Sequence, residues 1–243
     1  MYELIPAAAA PELDEEADKR FAEDWPEFIF HDLEVKKYSD RRVEYFRDWE
    51  FYLVSGGRLI AGCWGVPIAW DGTVEDLPGG FTDSLARAVT SYEEGVVPNT
   101  FVLMAAAVRN DEQGQGHAGR VITAVRERAA AGGLPQMIAP VRPTLKSRYP
   151  LTDISSFMTW TRDDGLPLDP WLRTHVRLGA TILAPAPVSQ VMTGTVAEWE
   201  KWTGMVFPDS GSYVIPEGLT LLEIDRAADT GCYREPNIWM RHR

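Results

Sequence analysis

The chain has 243 residues, 45% hydrophobic and 25% charged, which is the composition of a globular protein large enough to bury a substantial core. Its formal net charge of −12 argues against nucleic acid or an anionic membrane as a partner. It has no apolar run of transmembrane length, no secretory signal pattern, and no cysteine spacing that fits disulfides or a metal. We therefore expect a cytoplasmic protein with free thiols at Cys63 and Cys232, and the oligomeric state is left open.

The first part of the chain predicts a mobile arm, short helices and a hairpin. Residues 1–20 begin with an Ala-, Pro- and Glu-rich stretch and are predicted to be a mobile N-terminal arm. Residues 21–45 mix aromatic and charged side chains and indicate one or two short helices. The apolar runs 49–54 and 59–70 flank a Ser-Gly-Gly turn and predict a β-hairpin, with Pro67 favouring a bend in its second strand.

The middle of the chain predicts a helix followed by a strand–helix–strand unit. Residues 81–93 have helical spacing, and residues 100–108 are a continuous apolar run typical of a strand buried on both faces. Residues 117–131 have the clearest helical periodicity, and residues 136–141 form a short strand. A strand–helix–strand crossover makes a parallel pair, whereas the hairpin is antiparallel, so the sequence predicts a mixed α/β sheet.

The last third of the chain predicts alternating helices and strands. Helices are expected over 152–161, over 169–179, where Asp is the N-cap and Pro the first helical residue, and over 196–202. Strands are expected over 181–188 and 219–224.

A glycine-rich segment joins the buried strand at 100–108 to the helix at 117–131. We call residues 113–119, which read QGQGHAG, the glycine loop. Glycines allow close backbone approach, and the unpaired N–H groups and dipole of a helix N-terminus favour negative charge. The glycine loop is therefore a candidate anion site, the alternative being a purely structural turn.

Two short motifs fit the glycine loop. Gly114, Gly116 and Gly119 satisfy the dinucleotide-binding pattern G-x-G-x-x-G, whereas Gln113, Gly116 and Ala118 satisfy the pattern Q/R-x-x-G-x-G/A. The dinucleotide pattern expects an acidic residue roughly 20 positions later, closing the next strand. The stretch from 128 to 152 contains no Asp or Glu, and about a hundred residues precede the loop, so the context favours the second pattern.

The second pattern is typical of the GNAT superfamily of N-acetyltransferases, and the chain resembles this superfamily over roughly residues 42–191. The resemblance implies a mixed, mainly antiparallel sheet with splayed central strands and flanking helices. It also implies an acyl-CoA-binding domain over 21–191, with residues 192–243 as a C-terminal extension packed on the same domain. Acetyl-CoA or another acyl-CoA would be the co-substrate, and the residues implied to bind it are Ala107, Val108, Gln113, Gly114, Gln115, Gly116, His117, Ala118, Gly119 and Arg120.

A second likeness lies in the stretch 169–180, which reads DPWLRTHVRLGA. It is similar to a pattern in a GNAT-like branch that includes loading domains of polyketide synthases. In those domains a histidine and a threonine are implicated in malonyl-CoA decarboxylation, with or without acyl transfer to a carrier-protein thiol. The resemblance makes His175 and Thr144 candidate catalytic residues, the alternative for His175 being a hydrogen-bonded core histidine.

Four further side chains are candidates, each with a plain structural role as the competing interpretation. Tyr149 is a candidate general acid or a packed aromatic at a turn, and Arg142 is a candidate ligand for a carboxylate or phosphate or an exposed charge. Trp64 is a candidate for the acyl or substrate pocket or a core residue. His117 is expected to act through its backbone N–H, with its ring in solvent.

The sequence favours an acyl-CoA-dependent acyltransferase that moves an acetyl or similar group to a small-molecule amine by direct attack. A second candidate function is a GNAT-fold malonyl-CoA decarboxylase or S-acyltransferase acting with a carrier-protein thiol. A third is a non-catalytic GNAT-fold binding module, and a fourth is a dinucleotide-dependent oxidoreductase.

Overall fold

The computed structural model describes residues 2–23 and 25–242. These residues form one nine-stranded sheet with helices on both faces. The strands are β1 (Tyr2–Pro6), β2 (Glu50–Ser55), β3 (Arg58–Ile68), β4 (Thr100–Val108), β5 (Gln136–Val141), β6 (Thr181–Gly194), β7 (Gly211–Val214), β8 (Leu221–Asp225) and β9 (Thr230–His242). The α-helices are α1 (Asp14–Ala22), α2 (Leu33–Phe46), α3 (Phe81–Glu93), α4 (His117–Ala131), α5 (Ile154–Phe157), α6 (Pro170–Arg177) and α7 (Val196–Thr203).

The sheet is mainly antiparallel, as predicted. Its order is β1-β2-β3-β4-β5-β9-β8-β7, and β6 pairs with β9 outside this path. The pair β4–β5 is parallel, and the strand–helix–strand unit 100–141 produces it because α4 carries the chain back along one face of the sheet.

The parallel pair β4–β5 separates soon after it begins. Pairing runs only from Thr100–Gln136 to Val102–Ile138, after which β4 pairs with β3 alone and β5 pairs with β9 alone. The register between β3 and β4 shifts at Trp64, so that Met104 is an extra residue on β4, and such a bulge bends a strand. The predicted splay of the two central strands is therefore confirmed.

Apolar cores lie on both faces of the sheet. On one face α4, α5 and α6 pack on the strands, and α4 presents the predicted stripe of Val121, Ile122, Val125 and Ala129. On the other face α2 and α3 pack around Trp70. A third cluster surrounds the buried Trp199 and joins α7 to β8 and β9.

The segment predicted as a mobile N-terminal arm is instead part of the fold. Strand β1 pairs with β2 from Tyr2–Ser55 to Pro6–Phe51. Helix α1 then crosses β3, where a Cβ on Gly62 would lie 2.3 Å from the ring of Phe21. The mobile-arm prediction was wrong because two contacts that order this segment cannot be read from its Ala- and Pro-rich composition. These are the pairing of β1 with β2 and the packing of α1 on β3 at Gly62.

The C-terminal segment completes the sheet. Strand β9 lies between β5 and β6, so the predicted boundary at 191 falls inside β6 and the last residues are interior strand. The sequence prediction missed β9 because the polar stretch 234–237, which contains Pro236, interrupts the apolar pattern. It also missed β1 and β7 and made α5 too long. No helix in the described part of the chain is long and apolar enough to cross a membrane.

Candidate functional site

The glycine loop has the backbone geometry of an anion site. Gly114 and Gly116 have φ of 78° and 81°, a left-handed conformation that favours glycine, and Gly116 is the N-cap of α4. Residues 113–116 are exposed, and the helical hydrogen bonds begin with Arg120 N to Gly116 O at 3.2 Å. The N–H groups of the first turn therefore have no acceptor within the helix and face the solvent at its positive end.

Polar side chains fix the conformation of the glycine loop. The Gln113 side chain donates to Oδ1 of Asn110 at 2.9 Å and to the carbonyl of Val108 at 3.4 Å, which ties the loop to the end of β4. Gln115 donates to Glu112 at 3.1 Å, and Arg58 pairs with the carboxylate of Glu112. These contacts hold the backbone N–H groups in place without covering them.

The ring of His117 is buried rather than solvated, so that prediction was wrong. Its relative exposure is 2%, its centroid lies 4.8 Å from the ring of Tyr2, and Nε2 lies 3.5 Å from Oε2 of Glu112. Strand β1 covers the start of α4, which the arm prediction did not anticipate. The Arg120 guanidinium lies 4.9 Å above the same Tyr2 ring. The proposed role of the His117 backbone N–H does not depend on where its ring lies.

The second half of β4 borders an open cleft. Residues 103–108 have no partner on the β5 side, so their backbone groups are free to bind a ligand along that edge. From residue 105 to residue 108 the side chains are small and half-buried, with alanine at 105, 106 and 107. An extended molecule bound to the glycine loop can therefore continue along β4, where both Ala107 and Val108 were predicted to bind it.

A cavity of about 380 Å³ adjoins this part of β4. Ala105 and Ala107 form its floor, and α1, α2, β2, β3 and α3 form its walls. Most of its surface is apolar, and six aromatic side chains contribute to it, so we call it the aromatic cavity. They are Phe21, Trp25, Phe30, Tyr52, Trp64 and Phe81. Trp64, predicted to line a substrate pocket, lies in this wall.

One connected ion-pair network borders the aromatic cavity, with Arg47 as its shared member. Glu50 pairs with Arg42 at 3.3 Å and with Arg47 at 3.0 Å, and the Arg42 guanidinium lies 4.7 Å above the ring of Trp64. Asp14 pairs with Arg47 at 2.5 Å and accepts a hydrogen bond from the Tyr52 hydroxyl at 2.8 Å. Burial, reinforced by the neighbouring carboxylates, raises the pKa of Tyr52. These contacts attach α1 to β2 and hold it over the cavity.

His175 lies away from the aromatic cavity, on the sheet face that carries α6. Its relative exposure is 1%, and its Nδ1 lies 2.9 Å from Nε2 of His242 on β9. Burial, with a smaller effect of His242, lowers the pKa of His175 to about 3. Burial together with the charge of Arg126 lowers the pKa of His242 to about 4. The structure thus places His175 as a hydrogen-bonded core histidine, the interpretation that competed with catalysis in the sequence.

The remaining residues predicted to be catalytic or to bind substrate lie outside the aromatic cavity lining. Arg142 pairs with Glu235 at 2.6 Å, and the Glu235 carboxylate is fully buried, so this arginine neutralises an internal charge. Tyr149 is 40% exposed and packs edge-on against Trp160 at 4.9 Å. Thr144 is exposed on the segment after β5. Catalytic roles for Tyr149 and Thr144 stay predictions.

Sequence reasoning missed the charged residues of the aromatic cavity. Asp18 on α1, Lys36 on α2 and Glu50 at the start of β2 all line it. The one available signal was the spacing of Asp14 and Asp18, four residues apart and so on one face of a helix. A mobile arm over residues 1–20, as the composition predicts, would leave this spacing without a structural meaning.

Comparison with known proteins finds likenesses in sequence and in fold. No protein-family model matches the chain. The chain is 27% identical to the arginine N-acetyltransferase avaD of Aspergillus versicolor, in an alignment covering 99% of this chain and 93% of that protein. The likeness is therefore not confined to one part of the chain.

Two solved structures share the fold. The loading GNATL domain of CurA from Lyngbya majuscula aligns with a TM-score of 0.59 at 13% identity, covering 100% of this chain and 97% of that chain. The GphF GNAT-like decarboxylase, solved in complex with isobutyryl-CoA, aligns with a TM-score of 0.55 at 16% identity, covering 100% of this chain and 98% of that chain. At these identities the likeness concerns the fold alone.

Proposed function

We propose that the chain is a GNAT-superfamily protein and, on that basis, an acyl-CoA-dependent N-acetyltransferase acting on a small amine. The observation that carries the proposal is the meeting of two half-sites at β4. The glycine loop and the open edge of β4 form one half-site, and the aromatic cavity forms the other. Both use the alanine-rich segment of β4 that lacks a β5 partner.

Acyl-CoA fits the first half-site. Its diphosphate would lie on the N–H groups at the start of α4, where the helix dipole favours negative charge. The pantetheine arm would then run through the cleft between β4 and β5, bonded to the free backbone groups of 103–108. This path delivers the thioester close to Ala105 and Ala107, at the floor of the aromatic cavity.

The acceptor amine fits the second half-site. Its nitrogen lone pair attacks the thioester carbonyl carbon, so a C–N bond forms, the C–S bond breaks, and coenzyme A leaves as a thiolate. The nitrogen loses one proton and the thiolate gains one. No covalent enzyme intermediate is needed, so the chain contributes proximity and backbone N–H groups at the open edge of β4 for the developing oxyanion. The arginine N-acetyltransferase relative supports an amine as acceptor.

A decarboxylase function gains no support from the positions of its candidate residues. His175 is enclosed beside His242 on the opposite sheet face, and Arg142, the candidate for holding a malonyl carboxylate, is paired with Glu235. The likeness to the CurA and GphF domains concerns the fold.

Calorimetry with acetyl-CoA and release of free coenzyme A in the presence of amines test the proposal. We expect a Gly116→Asp variant to bind acetyl-CoA at least tenfold more weakly, because its carboxylate faces the diphosphate. Gly165→Asp is the matched control, since Gly165 also has a left-handed φ, 76°, and open space around it. Absence of acetyl-CoA binding to the unmodified protein, or equal weakening by the two substitutions, would contradict the proposal.

A further inference from the structure

Most charges that line the aromatic cavity are already satisfied within the protein. Glu50 is neutralised by Arg42 and Arg47. Asp32 is 2% exposed and accepts four hydrogen bonds, from the backbone N–H groups of residues 34, 35 and 191 and from the hydroxyl of Thr82. These groups have no free capacity for a ligand's charge.

Two charged side chains of the aromatic cavity remain without an ion-pair partner among residues 2–23 and 25–242. One is Asp18 on α1 and the other is Lys36 on α2. Asp18 is exposed overall; partial burial and the charges of Glu50 and Asp14 raise its pKa, Arg42 and Arg47 oppose this, and a bound cation would favour the charged carboxylate. Lys36 is exposed at the rim, where its charge also reaches Glu198 of α7.

The two unpaired groups reach the aromatic cavity from different helices, Asp18 from α1 and Lys36 from α2. The charge of Asp18 interacts with Arg42, near the C-terminal end of α2, whereas Lys36 is near its N-terminal end. Six residues separate Lys36 from Arg42, which is roughly 9 Å along a helix. A ligand that satisfies both groups must therefore be elongated, with a cation at one end and an anion at the other.

The wall of the aromatic cavity suits an organic cation. Phe21 and Trp25 follow Asp18 in the sequence, and together with Tyr52 and Trp64 of the sheet they line the cavity. Aromatic faces attract ammonium and guanidinium groups, and Arg42 above Trp64 shows that a guanidinium packs well on this surface.

We propose that the acceptor is a basic amino acid, held by Asp18 through its cationic side chain and by Lys36 through its α-carboxylate. This rests on the proposed N-acetyltransferase function and assigns the substrate class and two specificity residues of the same site. The α-amine lies next to the α-carboxylate and is the nucleophile presented to β4.

Three amines test the inference on the unmodified protein. Arginine carries both charges, citrulline has nearly the same shape with a neutral urea group, and agmatine lacks the carboxylate. Because a hydrogen-bonded charge contributes about 10- to 100-fold in affinity, we expect arginine to exceed both citrulline and agmatine in kcat/KM by that factor. The assay is release of free coenzyme A at saturating acetyl-CoA.

Matched variants connect each preference to its residue. Asp18→Asn should remove the preference for arginine over citrulline, and Lys36→Gln should remove the preference for arginine over agmatine, with the KM for acetyl-CoA unchanged. Asp40→Asn and Lys37→Gln, on exposed positions of α2 outside the cavity lining, should keep both preferences. A thermal melt of each variant checks that it is folded.

Failure of the inference is distinguishable from failure of the proposed function. Equal use of arginine and citrulline by the unmodified protein, or a loss at Asp18→Asn that is the same for both amines, overturns the inference while leaving acetyl transfer in place. Acetyl-CoA binding without transfer to any of the three amines also overturns it. Failure to bind acetyl-CoA would instead overturn the proposed function.

Discussion

The buried histidine pair predicts a steep loss of stability in mild acid. His175 and His242 both have folded-state pKa values far below the ordinary value of 6.5, at about 3 and about 4. In the unfolded chain each takes up a proton as the pH falls below 6.5, whereas in the folded protein neither does until much lower pH. The stabilising contribution of the pair is therefore complete above pH 6.5 and is lost as the pH falls below it.

At a pH above both folded-state values, the size of the loss follows from how far the pH lies below 6.5, the ordinary pKa of both histidines. Below pH 6.5, each histidine that stays neutral in the folded protein lowers the free energy of unfolding by about 1.4 kcal/mol per pH unit. At pH 5.0 each histidine has lowered the free energy of unfolding by about 2 kcal/mol, so the pair lowers it by about 4 kcal/mol between pH 7.5 and 5.0. That is a large fraction of the roughly 5–15 kcal/mol that stabilises a typical folded domain.

Urea denaturation between pH 7.5 and 5.0 measures this loss, with a His175→Gln/His242→Gln double variant as the reference. Burial also raises the pKa values of the carboxyl groups of Glu235 and Asp169. They contribute equally to both proteins, so the difference between the two pH profiles isolates the pair. We expect the unmodified protein to lose about 4 kcal/mol more than the double variant. Parallel profiles would refute the reasoning.

Two further predictions concern other buried groups. Arg142→Met should lower the free energy of unfolding by about 3–5 kcal/mol, because it leaves the carboxylate of Glu235 buried and unpaired; Arg162→Met, at an exposed ion pair, should cost under about 1 kcal/mol. Equal losses in urea denaturation would contradict this. Burial raises the pKa of the Cys63 thiol, so a thiol reagent should label the half-buried Cys232 first in the native protein, with the difference absent in denaturant. Preferential labelling of Cys63 would be the contrary result.

The sequence predicted those parts of the fold whose causes are local. Strand β4 and helix α4 were placed at their observed bounds, because a continuous apolar run, two left-handed glycines and a 3.6-residue periodicity all act within about thirty residues. The splay of β4 from β5 followed from the resemblance rather than from any local signal.

The parts that sequence reasoning missed depend on contacts between distant residues. The motif around His175 suggested catalysis, but its partner His242 lies 67 residues later on a strand that was not predicted. Asp18 could not be placed in a cavity without knowing that α1 crosses β3 at Gly62. Both cases concern pairs whose proximity is created by the sheet.

The position of β9 has a consequence for how the protein is made. During synthesis β1 to β4 can pair in the order in which they emerge, since each lies beside a strand already present. Strands β5 and β6, by contrast, both have β9 as their antiparallel neighbour, and β9 ends at His242. Strand β6 and the β9-facing edge of β5 therefore lack their strand partner until β9 has been made, with their backbone groups open until then.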